Sequence, residues 1–501
     1  MTNTVKTTDV LVAGTGGTGL AAAYAAVEAG LKVLVIEKQP QIGGNTKISS
    51  GFFAVDSKEQ RAAGMHLTTK EAIAQLADYN HYLSNGALLS HIVNNAADTL
   101  EWLEGMGMEI KLNPTANTTQ FAHRDNPYRG GSYHMYQHKD ESYQRIQQTL
   151  SDAGVEFLFN TTLTDLTMAD GKVSGATAMT ADGAALTIHA QAVVVATGGY
   201  GGDKQKVAQT MHTPNLRTLG VPNNGEGMAA MVKVGATDID SHALIHAAQL
   251  AKSKVTQKTS QKHLAGFSTN VLTQLLLTPQ LWVNGKGQRF VNEDVVYDTV
   301  EWANAAWSQG GKYFFIVDKQ TLDQFTAGKN AEEVSKAGPG AATGTGDFTA
   351  LAEEAVKGET AFKGNTLAEL ATQAGLDPQR FAKTVATYNT AVHATDDQEF
   401  SKSAQSLDYA VEQGPYYAFI AQAAYLGTVG GVRVDENLAV LDDHFDPIPG
   451  LYTGGANAGG YYEGHSYPAF EGLASGFTWT SGRIAGNHAA AYVKASTVAT
   501  H

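Results

Sequence analysis

The stretch GQRFVNEDVVYDT, Gly287 to Thr299, crowds Arg289, Asn292, Glu293, Asp294, Tyr297 and Asp298 between apolar runs. A guanidinium, carboxylates and a phenol this close together could do general acid–base chemistry. Arg289 and Glu293 stand four residues apart, which equally suits a structural ion pair. Tyr297 has a reference pKa of about 10, so it suits proton donation better than proton abstraction. Two histidine pairs, His134/His138 and His242/His246, have the spacing of metal ligands on one helix face. Neither has HExxH character or an acidic third ligand, so no metal site is expected. GHSYP, Gly464 to Pro468, approaches a nucleophile elbow, but Pro468 takes the place of the last glycine.

These side chains need a scaffold, and the N-terminus supplies one. Asp9 to Ala13 reads as a buried strand and Gly14-Thr-Gly16-Gly17-Thr18-Gly19 as a G-x-G-x-x-G turn. Leu20 to Ala29 reads as a helix stopped by Gly30, and Lys32 to Ile36 as a second strand ending at Glu37 and Lys38. Gly14 makes the turn, Gly16 admits backbone amides to a pyrophosphate, and Gly19 lets helix and strand approach. The helix N-terminus favours phosphate, and Glu37 can accept hydrogen bonds from a ribose diol. The small and hydroxylated run Gly43 to Gly51, with Gly44, Asn45, Thr46, Ser50 and Gly51, favours FAD over NAD as the resident dinucleotide. AVVVATGGYGGD, containing Ala196, Thr197 and Gly198, and DPIPGLYTGGANAGG, containing Gly455, read as two more buried strands running into glycine turns. Strand ends this widely spaced suit a dinucleotide domain built from both ends of the chain.

Bulk composition narrows the partners. A formal net charge of −14 argues against nucleic acid and anionic membrane surfaces. The absence of cysteine removes disulfides, Fe–S clusters and thiolate chemistry together. No charged n-region with an apolar core opens the chain, and no run of about 18 apolar residues would span a bilayer. A cytoplasmic protein with small-molecule partners is expected.

Together with NGEGMAAMVKVGA (Asn224 to Ala236), RFVNE, TVGGVRVD (Thr428 to Asp435) and SGRIAG (Ser481 to Gly486), these segments resemble the flavoprotein family of soluble fumarate reductases, succinate dehydrogenase flavoprotein subunits, urocanate reductases and 3-ketosteroid dehydrogenases. The resemblance implies an α/β fold: a Rossmann-like FAD-binding domain of the glutathione-reductase type, interrupted by an α+β capping domain. The FAD domain is expected over 1–243 and 424–501, and the cap over 244–423. Lys47 to Ser50 stand where respiratory members attach FAD to histidine, which implies noncovalent FAD. Gly472 and Leu473 would open a helix pointing at the flavin pyrimidine ring, where its positive end favours a reduced flavin. With no haem or Fe–S ligands, NADH or NADPH is the implied electron donor. DGKVSGAT, Asp170 to Thr177, resembles a covalent FMN motif but reads as a hairpin turn inside the FAD domain.

Family members that reduce fumarate hold it with two histidines and an arginine and protonate it with a second arginine. The donor position here is Tyr297. The first histidine matches His246, the second is replaced at Leu426 and Gly427, and Gly460 to Gly476 contains no arginine. A dianion without fixed positive charge is costly to desolvate. Leu426, Tyr461, Tyr462, Tyr467 and Phe470 instead suit a flat aromatic molecule. The resulting expectation is an FAD-dependent ene-reductase acting on an apolar aromatic alkene such as a vinylphenol or hydroxycinnamate. Tyr297 would donate the proton, with Tyr467 or His246 orienting substrate and Arg289 beside them. A ketosteroid-like dehydrogenase, a fumarate reductase, and a flavin electron-transfer subunit without its own substrate are the competing expectations.

Overall fold

A computed structural model describes residues 4–113, 132–251, 263–264, 267–268, 271–297, 299–329, 345–462 and 470–498. Strand β1 (Thr4–Ala13) leads through the glycine turn into helix α1 (Gly17–Glu28) and strand β2 (Val33–Ile36). A short helix α2 (Asn45–Ile48) follows, and then β3 (Gly51–Phe53), β4 (Glu109–Leu112) and β5 (Tyr133–Gln137), which form a small antiparallel sheet. The chain returns through β6 (Glu156–Leu158), β7 (Thr161–Ala169), β8 (Lys172–Thr180) and β9 (Ala185–Val195). Asp170 and Gly171, both at positive φ, make the β7–β8 turn. The DGKVSGAT segment is therefore a hairpin, as its turn residues predict.

Further on come β10 (Arg217–Thr218), β11 (Asp238–Leu250), β12 (His263–Leu264), β13 (Phe267–Ser268), β14 (Leu281–Val283), β15 (Lys312–Asp318), β16 (Ala361–Gly364) and β17 (Tyr416–Val432). Strands β18 (Ala439–Leu441) and β19 (Pro447–Thr453) and a helix over Leu473–Val498 close the chain. The main sheet has the order β18-β19-β9-β1-β2-β6, with β7 and β8 attached to β9. Its central pairs β19–β9, β9–β1, β1–β2 and β2–β6 are all parallel. Parallel strands are covered on both faces, so they read as continuous apolar runs. Val10 and Val12 face one core and Leu11 and Ala13 the other, all at 0% exposure.

Register makes the site. Ala13 lies opposite both Ile36 and Val195, and Val195 opposite Thr453. Four strands therefore end level, and the chain leaves them at Gly14, Glu37, Ala196 and Gly454. A second sheet has the order β10-β17-β15-β14, with β11 and β16 also on β17, and takes most of its strands from the range expected for the cap. The boundaries expected at 243/244 and 423/424 fall inside β11 and β17. Those two strands pair with each other, so the junction is a ladder rather than a pair of loops. The cap core is aromatic: Trp282, Trp302, Tyr313, Phe315 and Phe419 are buried, and the Trp302 indole donates to the Tyr313 hydroxyl at 2.7 Å. Among the described residues no helix is long and apolar enough to cross a membrane.

The C-terminal helix packs on α1 with backbone touching backbone. A Cβ on Gly482 would stand 2.3 Å from the Thr18 carbonyl oxygen, and one on Gly486 would stand 2.5 Å from that of Ala22. Neither backbone atom can rotate away. Replacing Gly486 with Leu should cost about 3 kcal/mol, the upper end for overpacking, read as a lower denaturant midpoint. An unchanged midpoint would show that the two helices can separate freely.

Candidate dinucleotide site

The level strand ends enclose a cavity of about 1010 Å³, at the upper end of the ~300–1,000 Å³ usual for ligand sites. The turn Gly14 to Thr18, Glu37 with Lys38, Gly44 to Thr46 and Ala196 to Gly198 all line it. Gly19, Ser50, Gly51, Gly455, Gly472 and Leu473 are not on that lining. A Cβ on Gly19 would lie 1.9 Å from the Gly14 carbonyl oxygen, and one on Gly455 would lie 2.5 Å from Thr18 Oγ1. Gly472 packs against the backbone of Phe52 and Phe53, and its carbonyl accepts from the Phe53 amide at 3.1 Å.

The lining fits a dinucleotide. Helix α1 begins at Gly16 with no side-chain cap and no acidic residue in its first turn. Its positive end is therefore not offset by an anion from its own chain and suits a phosphate. A Cβ built on Gly16 meets nothing within 4 Å, whereas one on Gly14 would stand 2.2 Å from the Ala196 carbonyl oxygen. Gly14 is a glycine for the protein's own packing, and Gly16 for what enters the cavity. The Glu37 carboxylate is oriented by Thr15, whose amide and hydroxyl donate to Oε2 at 2.8 and 2.7 Å. Its Oε1 accepts one amide, from Gln39 at 2.8 Å, and keeps a lone pair for a ligand hydroxyl. Thr46 Oγ1 accepts from the Gly17 amide at 2.9 Å, and Asn45 donates to the Leu426 carbonyl at 3.0 Å. Lys38 pairs with Glu226 at 3.2 Å and closes one wall.

Several lining residues carried no signal in the sequence. Thr161, Thr162 and Leu163 reach the cavity because the Thr161 amide donates to the Glu37 carbonyl at 2.8 Å. Arg217, Leu219, Asn223 and Thr478 also line it. Only the tertiary register brings these positions to the glycine turn; a motif scan has nothing to find there.

The residues expected to act on substrate are dispersed. Tyr297 ends a 3-10 helix over Glu293–Tyr297, is 3% exposed and packs in the cap's aromatic core, not on the cavity wall. Arg289 is consumed by the cap: Nε donates to Glu293 Oε1 at 2.9 Å, and Nη2 to Glu293 Oε2 and Asp397 Oδ2, each at 2.7 Å. Burial would pull its guanidinium pKa down, but the two carboxylates hold it above the usual arginine value. Lys402, 3.4 Å from Glu293, makes the buried cluster neutral and donates to the Pro279 carbonyl and Tyr388 hydroxyl. His246 lies on β11, with only its backbone described, and Tyr467 lies outside the described residues. The helical spacing read into both histidine pairs is corrected. His242 and His246 share a strand, where four residues span ~13 Å, too far to share an ion. His134 sits on β5, and His138 is the residue that starts the next helix.

Tyr461 and Tyr462 are buried in the FAD-domain core, with Tyr461 stacked on Phe477 at 4.3 Å and 3°. Phe470 packs on Phe53 at 5.2 Å, and Leu426 is partly buried against the same cluster. All four pack in or against this core, and none lines the open cavity.

Comparison with known proteins gives this geometry its relatives. A family model described as FAD binding domain matches residues 9–467. The chain is 29% identical to vinyl phenol reductase of Lactiplantibacillus plantarum, over 98% of each chain. It is 28% identical to NADH:fumarate oxidoreductase of Klebsiella pneumoniae, over 92% of this chain and 45% of that protein. Among solved structures, a flavocytochrome c3 fumarate reductase is similar with a TM-score of 0.68 and 25% identity, over 97% of this chain and 79% of that one. The 3-ketosteroid delta1-dehydrogenase of Sterolibacterium denitrificans has the same fold, with a TM-score of 0.74 at 20% identity over 97% of this chain and all of that one.

Two tests follow from the geometry. Gly16→Val should fold normally by circular dichroism yet raise the FAD dissociation constant by at least about tenfold, roughly 1.4 kcal/mol. Full FAD occupancy in that variant would place the phosphates elsewhere. Arg289→Leu should lower the denaturant midpoint by about 3–5 kcal/mol of stability, because Glu293 and Asp397 lose their partner inside the cap. Unaltered stability would remove Arg289 from the scaffold. By its family match and by the cradle that its level strand ends build, the chain belongs to the FAD binding domain family and is a fumarate reductase-like, FAD-dependent oxidoreductase.

Proposed function

We propose that this protein is an ene-reductase that uses NADH or NADPH to saturate an activated C=C bond in an uncharged aromatic alkene, of the vinylphenol or hydroxycinnamate class. FAD held noncovalently in the cavity supplies hydride transfer from the nicotinamide to one alkene carbon. The carrying observation is the full-length similarity to a vinyl phenol reductase. Tyr297 and Leu426 stand where fumarate-reducing members carry an arginine and a histidine, which leaves a dicarboxylate without fixed charge at those positions.

Proton delivery to the neighbouring carbon falls to a protein acid, and Tyr297 is the candidate. The Arg289–Glu293–Asp397 cluster anchors the 3-10 helix that ends at Tyr297, so the phenol is held by packing and not by a loose loop. His246 and Tyr467 are the candidates for orienting the substrate.

Anaerobic reduction of the holoenzyme with NADH or NADPH, followed by mixing with separate alkenes, tests the reading. Vinylphenols or hydroxycinnamates should reoxidise the flavin faster than fumarate, urocanate or steroid enones. Fumarate or a steroid enone winning by a wide margin would replace the substrate class. Tyr297→Phe should leave reduction by the nicotinamide intact and slow turnover of alkene by about 10²-fold or more. Full alkene turnover in that variant would remove the phenol from the reaction.

A further inference from the structure

Glu471 immediately precedes Gly472, at the head of the C-terminal helix Leu473–Val498. It is only 7% exposed, and its Oε2 is buried with no hydrogen-bond partner among the described residues. Natural interiors rarely keep an unmatched carboxyl, because the group loses its water and gains nothing in exchange.

Its place along the helix points to what it serves. Thr478 lines the cavity, and its carbonyl accepts from Thr18 Oγ1 at 3.0 Å, level with the start of α1. Gly472 lies six residues earlier, ~9 Å along the axis at 1.5 Å per residue. A ligand with phosphates at Gly16 and one ribose at Glu37 must send its other half past Thr46, Lys47 and Ile48. From Ile48 the chain runs through Ser49 and Ser50 into β3, and Gly472 is packed on β3. The head of the C-terminal helix, with Glu471, therefore lies beyond Ile48 and behind the open lining, on the side to which the ligand's other half must run.

The surroundings leave the carboxyl's proton affinity to the bound group. Strand β3 contributes Phe52 and Phe53. Strand β5 contributes Tyr133 and Tyr136, and the Tyr136 hydroxyl is held 2.6 Å from Ser475 Oγ. His134 on the same strand is engaged by Ser57 at 2.9 Å. Tyr461 and Tyr462 precede Glu471 in the chain and pack in the same core. Among the described residues no charged side chain offsets its burial, which pushes the carboxyl up to about 8.

We propose that Glu471 is a redox-linked proton acceptor of the flavin site, taking up a proton when electrons enter. It goes beyond the ene-reductase reading, requiring FAD in the cavity but no particular alkene. Below about pH 8 the carboxyl already holds its proton, and two electrons from dithionite bring one proton, to the ring. Above that pH the oxidised site carries the carboxylate. The negative charge that arrives on reduction then raises its proton affinity, so two electrons bring two protons, one to the ring and one to Glu471.

Proton uptake is measured directly by reducing the wild-type holoenzyme anaerobically in weak buffer with a pH indicator. One proton per electron pair at pH 7 and two at pH 9 is the expected result. One proton at both pH values overturns the proposal without recourse to any variant. The midpoint potential of the wild type should steepen with pH above about 8, whereas that of Glu471→Gln keeps the shallower slope throughout. Equal steepening in an FAD-loaded Glu471→Gln protein would assign the second proton to another group and overturn the proposal. If Glu471→Gln does not retain FAD, Glu471→Asp takes its place. A shifted onset of the second proton supports the proposal, and an onset unchanged from wild type overturns it.

Discussion

Two helices from opposite ends of the chain meet backbone to backbone, and the site exists because they do. Gly482 and Gly486 lie one turn apart on the C-terminal helix and remove the side chains that would hold it away from Thr18 and Ala22. The Trp479 indole then closes on Gly17, and Thr478 reaches the cavity wall. Gly454 tightens the same junction, since its Cβ would lie 2.7 Å from Ser481 Oγ. Close approach of this kind gains dispersion contacts over the whole interface and leaves no slack for repositioning. The dinucleotide cradle is therefore assembled from residues more than 400 positions apart, and neither end of the chain can form it alone.

The cap is tied down by a different force. Its scaffold is a charge-balanced cluster in which Arg289, Lys402, Glu293 and Asp397 are all nearly excluded from water. Such clusters add little net stability compared with apolar packing, but they tolerate only one arrangement of their hydrogen bonds. Here that arrangement joins β14, the 3-10 helix and the segment from Asp397 to Lys402, with Trp282 donating its amide to Glu293 at 3.3 Å. The 17-residue strand β17 carries this order to the glycine-turn sheet's cavity, since it pairs with four strands of the second sheet and delivers Leu426 against Asn45.

Local pattern made the first half of the cradle legible. Strand, glycine turn, helix, strand and Glu37 depend on contacts within forty residues, so their residue types carry the whole instruction. The strand ends at Ala196 and Gly454 were readable for the same reason, as was the Arg289–Glu293 pair at helical spacing. What stayed hidden depends on register and packing. Thr161 to Leu163 and Arg217 reach the cavity only through pairing between distant strands. The histidine pairs misled because a spacing of four means one face on a helix and also one face on a strand, at more than twice the distance. Tyr461 and Tyr462, expected on a substrate wall, pack in the hydrophobic core, and residue type alone does not separate the lining of a cavity from the core behind it.

The 12-residue α1 begins at the cavity, and the 26-residue C-terminal helix lines it at Thr478, ~8 Å along the axis from its N-terminal residue, Leu473. Each end carries roughly half a positive charge on unsatisfied amides. The first suits phosphates, which are charged in every redox state. With the flavin ring at the second, as proposed for Glu471, the charge gained on reduction would make the stabilising effect differential, acting on the reaction rather than on affinity alone. A permanently ionised carboxylate beside that second end would cancel the effect. Burial pushes the Glu471 carboxyl up to about 8, so below that pH the proposed site would keep the helix field uncancelled.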